Sequence, residues 1–123
     1  MSMYPPIFSV ASADQQVQSL LGINPTRLFP FGLAPQGVTL PYAVWQIITG
    51  GPENYINNLP DIDNFGLQID VYGEQAGSVR AAAEALRNVI EPVAHITAWR
   101  GESIDFETKN YRLIFEVSWF VHR

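Results

Sequence analysis

The chain has no cysteine, which excludes a disulfide framework, a thiolate zinc site and a cysteine nucleophile, and fits a reducing cytoplasm. It is also poor in cations: seven Lys and Arg stand against twelve Asp and Glu, for a formal net charge of −5. Lys109 is the lone lysine. A protein that grips nucleic acid through phosphates needs clustered cations, so that class is set aside. Charged residues make up only 15% of the chain, against about a quarter in typical soluble domains. No apolar run approaches the roughly 18 residues of a membrane span, and Met1 to Val10 lacks the basic and apolar regions of a signal peptide. The expectation is a soluble protein that is not exported by the standard route and has no membrane partner.

What is present is enough for one domain over 1–123, with 47% apolar residues and a size at which about two-thirds of the extended surface can be buried. A small chain with so little charge is expected to bury more surface by assembling with copies of itself than one subunit covers alone.

Ser9 to Leu21 reads as a short helix that Ser9 or Ser12 could cap, stopped at Gly22. Arg27 to Phe31 reads as a short strand and Tyr42 to Thr49 as a longer, central one, because both of its faces are mostly apolar. Phe65 to Tyr72 alternates cleanly, with Phe65, Leu67, Ile69 and Val71 on the core side. The clearest helix is Ala76 to Val93, where Val79, Ala82, Ala83, Leu86, Val89, Ile90 and Val93 form one stripe. Two strands, Ile96 to Glu107 and Tyr111 to Val121, close the chain around Thr108, Lys109 and Asn110, with Asn110 suited to a left-handed turn position. The predicted class is α+β: a mostly antiparallel four- to five-stranded sheet with two helices, in the order α-β-β-β-α-β-β.

Gly51 to Asn64 interrupts two strands and yet carries Tyr55, Ile56, Leu59 and Ile62. Long structureless loops are uncommon in compact domains unless functional or disordered. The segment Tyr55, Ile56, Asn57, Asn58, Leu59, Asp61, Ile62 and Asp63 is therefore the candidate partner-binding site. On the last strand Tyr111, Leu113, Phe115, Val117, Trp119 and Val121 point inward, which leaves Ile114 and Phe120 on the other face. Leaving such side chains in water forgoes roughly 1.5–3 kcal/mol each. The first helix or a neighbouring subunit is expected to cover them, so they are the candidate subunit interface.

Catalytic and metal chemistry has little support. Asp61 and Asp63 alternate in a loop, but Phe65 occupies the next ligand position and no glutamate stands at the twelfth. Gly50 and Gly51 precede no phosphate-binding helix. His95 and His122 have no nucleophile beside them, Asp70 and Glu116 read as solubilising carboxylates on a polar face, and Arg112 is expected to pair with Glu107 or Glu116. Trp45, Trp99 and Trp119 lack the basic groove of a stacking platform. No catalytic residue, metal site or cofactor is assigned, and the chain is read as a non-enzyme.

Taken together, Pro41-Tyr42-Ala43-Val44-Trp45-Gln46, the loop Asn58 to Asn64, Phe65-Gly66-Leu67-Gln68-Ile69-Asp70-Val71-Tyr72-Gly73 with its Ala-rich helix, Asn110-Tyr111-Arg112 and the aromatic close Trp119-Phe120 resemble the tail-terminator, or tail-completion, proteins of long-tailed bacteriophages. The resemblance implies a structural virion protein, made in the host cytoplasm, that forms a ring, commonly a hexamer, on the head-proximal end of the tail tube. Such a ring ends tube polymerisation and joins the head through neck proteins, while DNA passes through its lumen without specific binding. Asp61 and Asp63 would then lie near that lumen. Two alternatives stay open: a head-tail connector or other neck protein, and a small ligand-binding or enzymatic α+β domain with its cleft between the second helix and the sheet.

Overall fold

A computed structural model describes residues 3–54 and 58–123. Its elements run α1 (Ile7–Ser12), α2 (Gln15–Leu21), β1 (Leu28–Pro30), β2 (Tyr42–Pro52), β3 (Ile62–Gly73), α3 (Ala76–Ile90), β4 (His95–Ile104) and β5 (Tyr111–His122). The strands form one five-stranded sheet in the order β1-β2-β3-β5-β4. All neighbours are antiparallel except β1 and β2, so the sheet is mixed.

The expected α+β class stands, with three helices in place of two. The single helix over Ser9 to Leu21 is divided after Ser12, and neither Ser9 nor Ser12 is the cap that matters. Asp14, in extended backbone, accepts a hydrogen bond from the Val17 N–H at 3.0 Å and so starts a new helix. Ser9 instead donates to the Pro6 carbonyl. The predicted stop holds: Gly22 has φ of 87°, a conformation that side-chain-bearing residues rarely adopt.

The central strand is β3 rather than β2. β2 is flanked by β1 only from Ala43 to Trp45, so its second half is a sheet edge and Ile47 and Ile48 are partly exposed. β3 is paired along its whole length with β5, from Ile62↔His122 to Gly73↔Tyr111. That pairing extends the strands into the segment expected to be a loop from Gly51 to Asn64: β2 continues to Pro52 and β3 begins at Ile62. The β4–β5 connection also differs from expectation, since Lys109 and not Asn110 takes the positive φ. Asp105 organises that turn by accepting from the backbone N–H groups of Glu107 and Thr108.

All three helices lie on one face. Ile7 and Ala11 of α1, Val17 and Leu21 of α2, and Val79, Ala82, Ala83, Leu86 and Ile90 of α3 pack with Ala43, Leu67, Ile69, Val71, Leu113, Phe115 and Val117 in a single core. α3 ends before Val93, which is exposed.

Candidate assembly surfaces

The hairpin joining β2 to β3 is anchored at its base by the end of the chain. Arg123 donates through its backbone N–H to the Asp61 carbonyl at 2.8 Å, and through Nε and Nη2 to the two carboxylate oxygens of Asp63 at 3.1 and 2.8 Å. These hydrogen bonds hold the Asp63 carboxyl below the usual carboxylate range, against the opposing effect of its burial. Asp63 is thus a fixed, neutralised group at the foot of the hairpin, with Ile62 half-buried beside it. Beyond that foot, Asn58, Leu59 and Asp61 are exposed, Leu59 to 89%. Tyr55, Ile56 and Asn57 lie outside the described residues.

Ile114 and Phe120 face away from the helices. Because side chains alternate along β5, Arg112, Ile114, Glu116, Ser118 and Phe120 share the face opposite Leu113, Phe115, Val117 and Trp119. No described helix crosses that face, so the first of the two expectations, that the first helix would cover Ile114 and Phe120, is not met. Ile114 is half-buried by its sheet neighbours and Phe120 is 41% exposed. Cross-strand register places Val44, Asp70 and Ile114 in one row and Gln46, Gln68 and Glu116 in the next. Ile48 sits at a bulge against Gly66.

Most of the charged and several of the neutral polar groups of this bare face are bonded to one another. Asp70 is 6% exposed and accepts from Arg112 Nε at 3.1 Å, Gln68 Nε2 at 2.9 Å and the Tyr72 hydroxyl at 3.3 Å. The Arg112 guanidinium lies 5.7 Å from the Tyr72 ring centre, and that ring stacks on Tyr42 with centroids 5.0 Å apart. Burial, followed by the Asp70 charge, pushes the Tyr72 phenol up to about 12. Glu116 pairs with Arg100 and not with Arg112, and Ser118 donates to Asn64 at 3.0 Å. Arg112 bonds to Asp70, 42 residues away, instead of to Glu107 or Glu116.

A second apolar strip lies on the helix side, at the margin formed by β4. Trp99 packs against Phe115 with ring centroids 5.0 Å apart and still exposes half of its surface. Ile104 is 62% exposed and Phe106, in the turn beyond, 89%. Between them Glu102 accepts from Arg80 Nε at 2.7 Å and from the Tyr111 hydroxyl, which holds its carboxyl down at about 2.

Among the described residues no group of three or more His, Asp or Glu is placed to hold a metal ion, and no described helix is long and apolar enough to cross a membrane. His95 and His122 lie on β4 and β5, where the His95 ring meets Phe120 edge-on. Sequence reasoning missed Arg100, Arg112 and Arg123 as partners of Glu116, Asp70 and Asp63. Their one sequence signal is the near balance of cations and carboxylates on the polar side of the strands, and that does not specify pairs.

Comparison with known proteins gives the family. A chain described as "Virion of native gene transfer agent (GTA) particle" shares the fold, with a TM-score of 0.63 over 95% of this chain and 92% of that one, at 11% identity. No curated protein matches the sequence. The model of the family "Tail completion protein gp17" matches residues 5–122. The chain therefore belongs to the tail completion protein gp17 family and is a structural component of the phage particle that assembles with other particle proteins.

Proposed function

We propose that this protein forms a ring, with six copies as the expected number, that seats on the head-proximal end of the tail tube, stops its polymerisation and presents the surface to which the head is joined. It acts by binding, as a non-enzyme without a cofactor, and DNA passes through the ring without being gripped. The observation that carries this reading is membership of the tail-completion family over almost the whole chain. Two structural features support it. A sheet with one uncovered face has more apolar surface than a monomer needs, and the described carboxylates of Glu53, Asp61, Glu74 and Glu107 have no cation partner. Net negative charge disfavours retention of a polyanion sliding past.

The β2–β3 hairpin is the part assigned to the tube. Its exposed Leu59 is the described apolar anchor, and Asp61 the carboxylate left free near the lumen, since Asp63 is held by Arg123. Amide hydrogen exchange over Asn58 to Asp61 is expected to slow when assembled tubes are added; unchanged exchange would remove the hairpin from the contact.

Electron microscopy of particles made without this protein tests the function itself. Overlong tails are the expected result. Tails of normal length lying apart from filled heads would overturn termination and make the protein a neck component.

A further inference from the structure

The two edges of the sheet are poorly suited to pairing with another strand. β1 has only three residues and ends at Pro30, β2 carries a register shift between Ile47 and Thr49, and β4 carries two, between Ile96 and Ala98 and between Trp99 and Gly101. Short strands, proline and bulges are the devices that blunt sheet edges against edge-on association. Contact between copies must then be made through faces.

The bare face is built to be covered by something uncharged. Its two cations, Arg100 and Arg112, are matched by Glu116 and Asp70, and the one further carboxylate near it, Asp105 at its end, acts on Arg112 and is tied to the backbone N–H groups of its own turn, so the middle of the face presents no unpaired cation or carboxylate to a partner. A polyanion or a basic surface gains nothing there. Its apolar part is Val44, Ile48, Ile114 and Phe120, with neutral Gln46 among them and His95 against Phe120. The strip along the β4 margin has the same character, with Glu102 neutralised by Arg80 between Trp99 and Ile104.

The exposed area is larger than a compact monomer of this size would show. The accessible surface is 7473 Å², against roughly 6,600 Å² for a compact monomer of this mass. The excess, about 900 Å², is of the size that one partner contributes to one ordinary stable interface, roughly 800 Å², and is about half of what a copy contacted on both sides would bury.

We propose that the bare face of one copy, centred on Ile48, Ile114 and Phe120, is covered by the β4 margin of the next copy, through its Trp99 and Ile104. This rests on the ring reading above and specifies the contact that would build the ring. Packing the bare face on itself would be isologous and would end at two copies. Joining two different patches leaves one of each free on every pair, and that arrangement propagates until a rotation closes it.

The test uses the full chain and two variants at partly exposed positions, Phe120→Glu on the bare face and Ile104→Glu on the β4 margin, with Ile48→Glu as a second bare-face variant. Circular dichroism and thermal unfolding check that each is folded, and sedimentation velocity gives the mass. Wild type is expected to sediment as a ring, alone or on added tail tubes. Each variant alone should sediment as a monomer, with at least a tenfold weaker self-association. A one-to-one mixture of Phe120→Glu and Ile104→Glu should sediment as a dimer, because each supplies the patch the other has lost. A mixture that stays monomeric, or folded variants that still form rings, would overturn the proposed contact and leave the ring reading standing. A wild-type protein that stays monomeric even with tubes would end the ring reading, and this contact with it.

Discussion

Ile114 and Phe115 are neighbours in β5, and they meet opposite worlds. Phe115 is fully buried beneath the helices, among Ile69, Val117 and Leu86 in the core. Ile114 faces the uncovered side, half-buried, in a row with Asp70 and Val44. The covered face excludes water mainly with apolar side chains, Asp63 at its margin being held by Arg123, while the other keeps more polar groups and bonds most of its charged ones to each other. A face of the first kind stabilises the monomer. The second kind can be buried later, in an assembly, without stranding a charge, which avoids the additional cost of about 3–5 kcal/mol that an unpaired buried charge carries beyond the desolvation of the pair.

The sharpest way to break this comparison is to truncate both neighbours. Phe115→Ala should destabilise the monomer by about 3–5 kcal/mol, and Ile114→Ala by about 1–2 kcal/mol, read from urea unfolding at a concentration where no ring forms. Equal losses would mean that the two faces do not differ as described. Next in size, Asp70→Asn should cost about 1–2 kcal/mol, because it removes the charge partner of a guanidinium that is still partly hydrated. A loss near zero would show that the Asp70 network is ornamental to the monomer.

Gly66→Ala should cost about 1 kcal/mol, since its new methyl group would lie 2.5 Å from Thr49 Oγ1. Adding Thr49→Ala should recover most of that loss; no recovery would place the strain elsewhere. The smallest effect concerns the covered side's rim. The Glu102 carboxyl is held at about 2 in place of 4.5, by hydrogen bonds from Arg80 and Tyr111. A carboxyl depressed on folding contributes stability above its ordinary value, and the contribution fades as the pH falls from 4.5 towards 2. Glu102→Gln should therefore lower the melting temperature slightly at pH 7 and not at pH 2, with a shallower acid limb between. A parallel shift at both pH values would count against the pairing.

Much of the fold could be read locally. The apolar stripe of α3 and the alternation in β3 and β5 are periodic signals in consecutive residues, and each element is found there, with α3 ending three residues earlier and β3 starting three residues sooner than the pattern indicated. The break between α1 and α2 was missed because Ser9, Ser12 and Asp14 all have capping chemistry, and the choice of Asp14 depends on how α2 packs against α3. The reach of β2 and β3 into Gly51 to Pro52 and Ile62 to Asn64 was hidden for a similar reason: glycine, proline and asparagine there look like loop, and only the pairing of β3 with the full length of β5, the pairing of Gly51 and Pro52 with Asn64 and Asp63, and the tie from Arg123 make them strand. The candidate interface residues Ile114 and Phe120 were legible by alternation, whereas the absence of a helix above them was not.

By itself, then, the sequence determined which residues alternate, which stripe is apolar, how little charge there is and what chemistry is missing, because these are properties of neighbours along the chain. Only the tertiary structure decided that β3 is central, that every helix lies on one side, and that Arg112 and Arg123 find carboxylates 42 and 60 residues away. Those outcomes depend on strand order and register, which join distant residues and which no local pattern encodes.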